Sequence, residues 1–167
     1  MSDRIYNVLF LCTGNSARSI MAEAILGVLG KGRFRAFSAG SHPSGQVQPM
    51  ALELAQAIGY DTTLARSKSW DEFAVEGAPQ MDIVITVCDN AAGEACPVWL
   101  GHPAQAHWGV PDPVEATGDE AARRHAFTAA FATLRRRVEL LLSLPLEKLD
   151  RIAAQSQLQD IGKVDNE

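Results

Sequence analysis

Tyr6-Asn7-Val8-Leu9-Phe10-Leu11 runs straight into Cys12-Thr13-Gly14-Asn15-Ser16-Ala17-Arg18, and Ser19-Ile20-Met21-Ala22-Glu23-Ala24-Ile25-Leu26 follows. The first six residues are apolar strand formers, too few for a buried helix, and suit a strand covered on both faces. The next seven are turn-prone. The last eight favour a helix ending near Gly30, with Ser19 as its expected N-cap and Ala22 in place of a capping-box glutamate. A loop between a strand end and a helix start turns successive backbone N–H groups toward one point, and the helix terminus adds partial positive charge there. Arg18 brings a planar fork that can grip two oxygens of a tetrahedral oxyanion. A thiol in that field loses its proton readily, so Cys12 is expected to be thiolate near neutrality, with Ser19 able to donate to the sulfur. Gly14 permits unusual backbone angles, and Asn15 tolerates the left-handed region.

Further along the chain, Arg33–Ala39, Met81–Val87 and Gln105–Trp108 read as three more strands. Pro49–Ile58, closed by Gly59, reads as a helix with proline at its entry and glycine past its exit. Trp70–Phe73 reads as a short helix, Asp119–Ser143 as a long one stopped by Pro145, and Leu146–Ile161 as a further amphipathic helix. Asp89–Pro103 and Gly109–Gly118 read as loops. Strands alternating with helices imply an α/β fold with a parallel sheet, and such sheets bind ligands beyond the carboxyl ends of their strands. Cys12 and Cys88 both follow directly on such strands.

The 167 residues suit one domain, and 47% hydrophobic content argues against disorder. The 15 basic residues are outnumbered by 20 acidic ones, which makes a nucleic-acid partner a poor expectation. No apolar run reaches the roughly 20 residues of a bilayer span, and Met1–Tyr6 has no secretory-leader pattern, so a cytoplasmic location is expected. Three cysteines, Cys12, Cys88 and Cys96, make a poor disulfide framework and raise the question of working thiols. His42, His102, His107 and His125 are scattered without ligand spacing, so no metal site is expected. Arg123, Arg124, Arg135, Arg136 and Arg137 read as solvated helix faces, and Glu23 as a surface carboxylate. His107 and Trp108 precede the Asp112 loop and either shape it or simply pack.

The stretch VLFLCTGNSARSIMAE, Val8–Glu23, resembles the phosphate-loop signature of the low-molecular-weight tyrosine phosphatase superfamily. Ser38-Ala39-Gly40 resembles that family's second-strand ending, and Asp112-Pro113 its acid loop. The resemblance implies a four-stranded parallel sheet flanked by helices, with residues 1–144 as the catalytic domain and 145–167 as a helical extension or tail. It also implies Cys12 as nucleophile, Arg18 as oxyanion clamp and Asp112 as general acid, with the loop Thr13, Gly14, Asn15, Ser16, Ala17, Arg18 and Ser19 binding the anion. VCDNAAGEACPVW, Val87–Trp99, followed by HWGVPDP, is similar to the redox segment and acid loop of the superfamily's arsenate reductases. Val114 follows Asp-Pro where the phosphatases often carry a tyrosine, and a pocket without an aromatic rim suits a small inorganic anion.

The resemblance implies a relay in which Cys12 takes arsenate, Cys88 displaces arsenite from Cys12, and Cys96 carries the disulfide outward. The family's strand order sets the third strand beside the first. Neighbouring strands lie about 4.8 Å apart, inside the roughly 7 Å Cα separation a disulfide tolerates. No bound cofactor is implied, and an external thiol reductant is, either thioredoxin or glutathione with glutaredoxin. Both stay open, because Ala17 stands where thioredoxin-coupled relatives often have a further cysteine and the Cys88–Cys96 interval is one residue longer. Phosphate and sulfate are expected as arsenate analogues. Some relatives hold a potassium ion beside the loop. Lys68 lies near the place of one of its carboxylate ligands, so an ammonium is expected to take that role. A phosphatase acting through a cysteinyl-phosphate and a non-enzymatic oxyanion-binding module are the competing readings.

Overall fold

The computed structural model describes residues 4–87 and 102–164. Four strands, β1 (Tyr6–Cys12), β2 (Phe34–Gly40), β3 (Ile83–Thr86) and β4 (Ala104–His107), form one sheet in the order β2-β1-β3-β4. All three pairings are parallel. Among the described residues four α-helices accompany them: α1 (Arg18–Leu29), α2 (Pro49–Ala57), α3 (Glu120–Leu142) and α4 (Arg151–Ile161). The expected fold class is the observed one.

The central strand shows why the opening run is continuously apolar. Val8, Leu9, Phe10 and Leu11 are all fully buried. Val8, Phe10 and Cys12 face a large core with Met21, Ile25 and Leu26 of α1 and Phe127, Phe131 and Leu134 of α3. Leu9 and Leu11 face a smaller core with Ala39, Met81 and Val84, packed by Phe37, Trp70 and Phe73. A strand buried on both sides has no polar face to alternate with. Because β1 is central, its C-terminal end, where Cys12 stands, opens between neighbours on both sides.

Local signals act where the sequence places them. Pro49 opens α2, and Gly59 turns the chain with a φ of +95° that other residues rarely adopt. Asp119 caps α3 by accepting from the Ala122 N–H at 2.9 Å. Two expectations need correction. The segment Leu146–Ile161 is not one helix: a 3-10 turn at Leu146–Lys148 is followed by extended Leu149, and Asp150 starts α4 afresh by accepting from Ala153 N–H at 2.8 Å. A strong capping residue inside an apolar periodic run starts a new helix there. Trp70–Phe73, expected as a short helix, is a 3-10 helix capped by Ser69. The N-cap of α1 is Ala17, with no side-chain cap, and Ser19 lies buried within the first turn. Most of the expected loop Asp89–Pro103 lies outside the described residues. No described helix is long and apolar enough to cross a membrane.

Candidate active site

Cys12 is the last residue of β1 and is 4% exposed. The loop beyond it is shaped from outside. Thr13 C=O accepts from His42 N–H at 2.9 Å, Gly14 C=O from Ser44 N–H at 3.0 Å, and Ser16 C=O from Gln48 N–H at 2.9 Å. Ser67 Oγ donates a second bond to Gly14 C=O at 3.2 Å. In a trans peptide the N–H points opposite the carbonyl of the same unit. Pinning those three carbonyls outward therefore turns the N–H groups of Gly14, Asn15 and Ala17 to the inner side. The segment 41–48, which in sequence is only a polar loop, is the mould for this concavity.

Two residues pay for the loop's curvature in different ways. Asn15 adopts φ +45°, as its residue type allows. Gly40, paired with Cys12, leaves no space for a side chain: a Cβ there would sit 2.5 Å from Thr13 O and 2.9 Å from Cys12 O.

Arg18, first residue of α1, reaches across the loop. Its Nη1 donates to Val110 C=O at 2.9 Å, and its Nη2 lies 3.4 Å from Asp112 Oδ2. Its Nε is buried and has no hydrogen-bond partner among the described residues. Asp112 caps a 3-10 turn, Pro113–Glu115, and its Oδ1 accepts from Val114 N–H at 3.0 Å. One carboxylate oxygen is thus tied to the backbone while the other faces the arginine. Val114 on this loop is 39% exposed, so no aromatic ring stands at that position of the rim.

Cys12, Arg18 and Asp112 come from β1, α1 and the loop after β4, so three separated parts of the chain build one end of the sheet. Cys88 and Cys96 lie outside the described residues. β3 runs beside β1 with Leu11 opposite Thr86, and Val87 N–H donates to Leu11 C=O at 2.8 Å. Among the described residues no group of three His, Cys, Asp or Glu side chains could hold a metal.

Behind the loop lies a polar cluster that the surface reading of Glu23 missed. Glu23 is 6% exposed. Its Oε1 accepts from Ser38 Oγ at 3.0 Å and its Oε2 from Tyr60 Oη at 2.8 Å. The Lys68 ammonium, 8% exposed, lies 3.8 Å from Glu23 Oε1 and donates to Arg66 C=O at 3.0 Å and to Ser38 Oγ at 3.4 Å. Asn15 closes the cluster: its Nδ2 donates to Ser19 Oγ at 2.7 Å and Ser38 Oγ at 3.1 Å, and its Oδ1 accepts from Lys68 N–H at 2.9 Å. The Asn15 and Ser19 side chains therefore brace the loop from behind, and any contact of Asn15 with an anion falls to its backbone. Ser19 keeps its hydroxyl hydrogen for another acceptor. The signal in the sequence was the placement of Glu23 one turn beyond Ser19 in a helical run that is otherwise apolar from Ile20 to Leu29.

The cluster yields two expectations. Burial pushes the Lys68 ammonium below its usual pKa, and the Glu23 charge opposes that. Lys68→Met leaves a buried carboxylate held only by neutral donors, which costs about 3 kcal/mol and lowers Tm by roughly 6–12 °C in a chain of this size. Adding Glu23→Gln should recover part of the loss in the same thermal melt. Tyr60 has its pKa raised by burial, then by the Glu23 charge and hydrogen bond. The folded state therefore keeps this proton at a pH where the unfolded chain, ionising near about 10, has lost it. Its stabilisation is complete below that pH and is lost as pH rises toward the folded pKa. Denaturant titrations between pH 9 and 11 should show wild-type stability falling more steeply than that of Tyr60→Phe.

The model of the family described as low molecular weight phosphotyrosine protein phosphatase matches residues 7–156. The chain belongs to that family. It is 35% identical to an arsenate reductase of Bacillus subtilis over 113 residues, covering 68% of this chain and 78% of that relative. A solved structure, an arsenate reductase in the phosphate binding state, superposes with a TM-score of 0.63 at 26% identity over 83% of this chain and 98% of the other. A thioredoxin-dependent arsenate reductase of Corynebacterium glutamicum shares the fold at 24% identity, with a TM-score of 0.61 over 89% of this chain and 66% of the other.

Proposed function

We propose that this protein is an arsenate reductase working by a thiol relay. The observation that carries the reading is the convergence of Cys12, Arg18 and Asp112 on a concavity of inward-turned amides, in a chain whose relatives include arsenate reductases at up to 36% identity. Arsenate enters the loop Thr13–Ser19, held by backbone N–H groups and by Arg18, whose Nε is a buried donor with no partner among the described residues. The Cys12 thiolate attacks arsenic, and Asp112 delivers a proton to the departing oxygen, which leaves as water. Cys88 then attacks the Cys12 sulfur. The S–As bond breaks with its electron pair passing to arsenic, which leaves as arsenite, and a Cys12–Cys88 disulfide remains. Cys96 attacks Cys88, regenerates the Cys12 thiolate and leaves Cys88–Cys96 for an external dithiol. The sheet order supports the first exchange: Val87, the sequence neighbour of Cys88, bonds to Leu11, the sequence neighbour of Cys12.

The reductant is thioredoxin or glutathione with glutaredoxin, by exchange through a mixed disulfide. The cytoplasm, where such dithiols are kept reduced, is the fitting location. The catalytic unit spans residues 1–144 and the extension is 145–167, whose helix α4 packs on the large core through Ala154, Leu158 and Ile161. Purified protein given arsenate and either thiol system should release arsenite, and alkylation after one turnover should trap Cys88–Cys96 with Cys12 free. Cys88→Ser should stop arsenite turnover and keep hydrolysis of para-nitrophenyl phosphate within about threefold of wild type, since the loop chemistry needs only Cys12. Arsenite absent from both thiol systems, with hydrolysis retained, would instead favour the phosphatase reading.

A further inference from the structure

The read of Arg137 as a solvated residue is wrong: it is 4% exposed, on the inner face of α3. Its Nη1 donates to Gly109 C=O at 3.0 Å and its Nη2 to Val164 C=O at 3.4 Å. Gly109 C=O and Val110 N–H belong to one peptide unit. The other edge of that unit is held too, by Val110 N–H donating to Val87 C=O at 3.1 Å. The next unit offers only its carbonyl, because Pro111 has no N–H. That carbonyl, Val110 C=O, is the one Arg18 Nη1 binds, and Arg18 Nη2 faces Asp112. Orienting the 109–110 peptide therefore orients the surface on which Arg18 and Asp112 meet.

The extension after Pro145 is built into the same linkage. Ala154, Leu158 and Ile161 of α4 are buried in the large core. Gln155 Oε1 accepts from the edge-strand Gln105 N–H at 3.0 Å, and Gln159 Nε2 donates to Gln105 C=O at 3.5 Å, so two side chains cover backbone groups left open on β4. Trp108 Nε1 donates to Leu158 C=O at 2.8 Å. Gly162 comes so close to the end of β4 that a Cβ would lie 2.2 Å from His107 O and 2.8 Å from Trp108 Cδ1. The chain after α4 is thus placed so that Val164 receives the second arm of Arg137.

We infer that Arg137 is a positioning residue for the acid loop, anchored by the C-terminal extension, and that it sets how well Asp112 delivers its proton. The inference rests on the arsenate reductase reading. Single turnovers with reduced enzyme in excess of arsenate, followed by arsenite formation, test it. Arg137→Met should lower the maximal rate about tenfold, since misplacement of a reacting group by a fraction of an ångström is felt at that scale. The arsenate concentration at half saturation should stay within about threefold, because the loop amides lie between β1 and α1 and are held by segment 41–48 rather than by the acid loop. Cys12 alkylation by iodoacetamide should keep its wild-type rate, and Arg137→Lys, which retains one donor, should fall between. Gly162→Ala acts through the same linkage and decides the matter if Arg137→Met does not fold. An unchanged maximal rate overturns the inference. So does a loss of rate matched by equal losses in saturation and Cys12 alkylation, which marks collapse of the whole site. Wild-type protein that forms no arsenite sinks the arsenate reading instead, whatever the variant does.

Discussion

Cys12→Ser should reduce arsenite formation to the uncatalysed background, a loss of about 10⁴-fold or more. The size follows from electron accounting as well as from nucleophilicity. Arsenate becomes arsenite by accepting two electrons, and those electrons come from two sulfurs that end as a disulfide. A serine oxygen attacks far more slowly and cannot close that bond. The concavity itself should survive, because its carbonyls are pinned by His42, Ser44 and Gln48, none of which involves the thiol. Arsenite assay paired with sulfate or phosphate binding by calorimetry checks both halves. Arsenite production persisting in Cys12→Ser would remove the thiol from the chemistry altogether.

Gly40→Ala carries the second large effect, although residue 40 touches no substrate in the proposed mechanism. Its added methyl would stand 2.5 Å from Thr13 O, 2.9 Å from Cys12 O and 3.0 Å from the Asn15 Cβ. Two of these three neighbours are backbone atoms of the anion loop, and none is the far end of a flexible side chain. Relief therefore moves the loop or prises β2 from β1. A displacement near 1 Å costs on the order of 100-fold in activity, and overpacking of this kind costs about 1–3 kcal/mol in stability. Turnover assays and thermal melts of the same preparation should show a loss of activity out of proportion to a Tm drop of a few degrees. Activity within twofold of wild type would mean that the loop accommodates the methyl freely.

The loop positions from Cys12 to Arg18 are contiguous, which is why they were legible. A strand end, a turn and a helix start are local patterns, and Cys12 through Arg18 carry them all. The strands themselves announced their burial by composition: β1 is apolar at every position from Val8 to Leu11 because both of its faces are covered. Glu23 and Arg137 were misread for a common reason. Each is a charged residue in a helix, and charge alone favours solvent. Whether a charged side chain is buried depends on partners remote in sequence, here Tyr60 and Lys68 for Glu23 and Gly109 and Val164 for Arg137. No periodicity within a helix encodes those partners.

The amino-acid order by itself determined the parallel α/β architecture and the strand, turn and helix start that carry Cys12 and Arg18, whereas the acid role proposed for Asp112 is what the family resemblance implies. The strand, turn and helix start around Cys12 are written in fewer than about 20 consecutive residues, and the parallel sheet follows from the alternation of strands and helices along the chain. Only the tertiary structure decided that segment 41–48 turns the loop amides inward, that Asn15 leans on a buried Glu23–Lys68 pair, and that the C-terminal helix closes the open edge of β4. These depend on which distant surfaces meet when the sheet closes its cores. Hydrophobic burial drives that closure without direction, and the few polar groups it traps are left to find whatever donors and acceptors the packing has brought beside them.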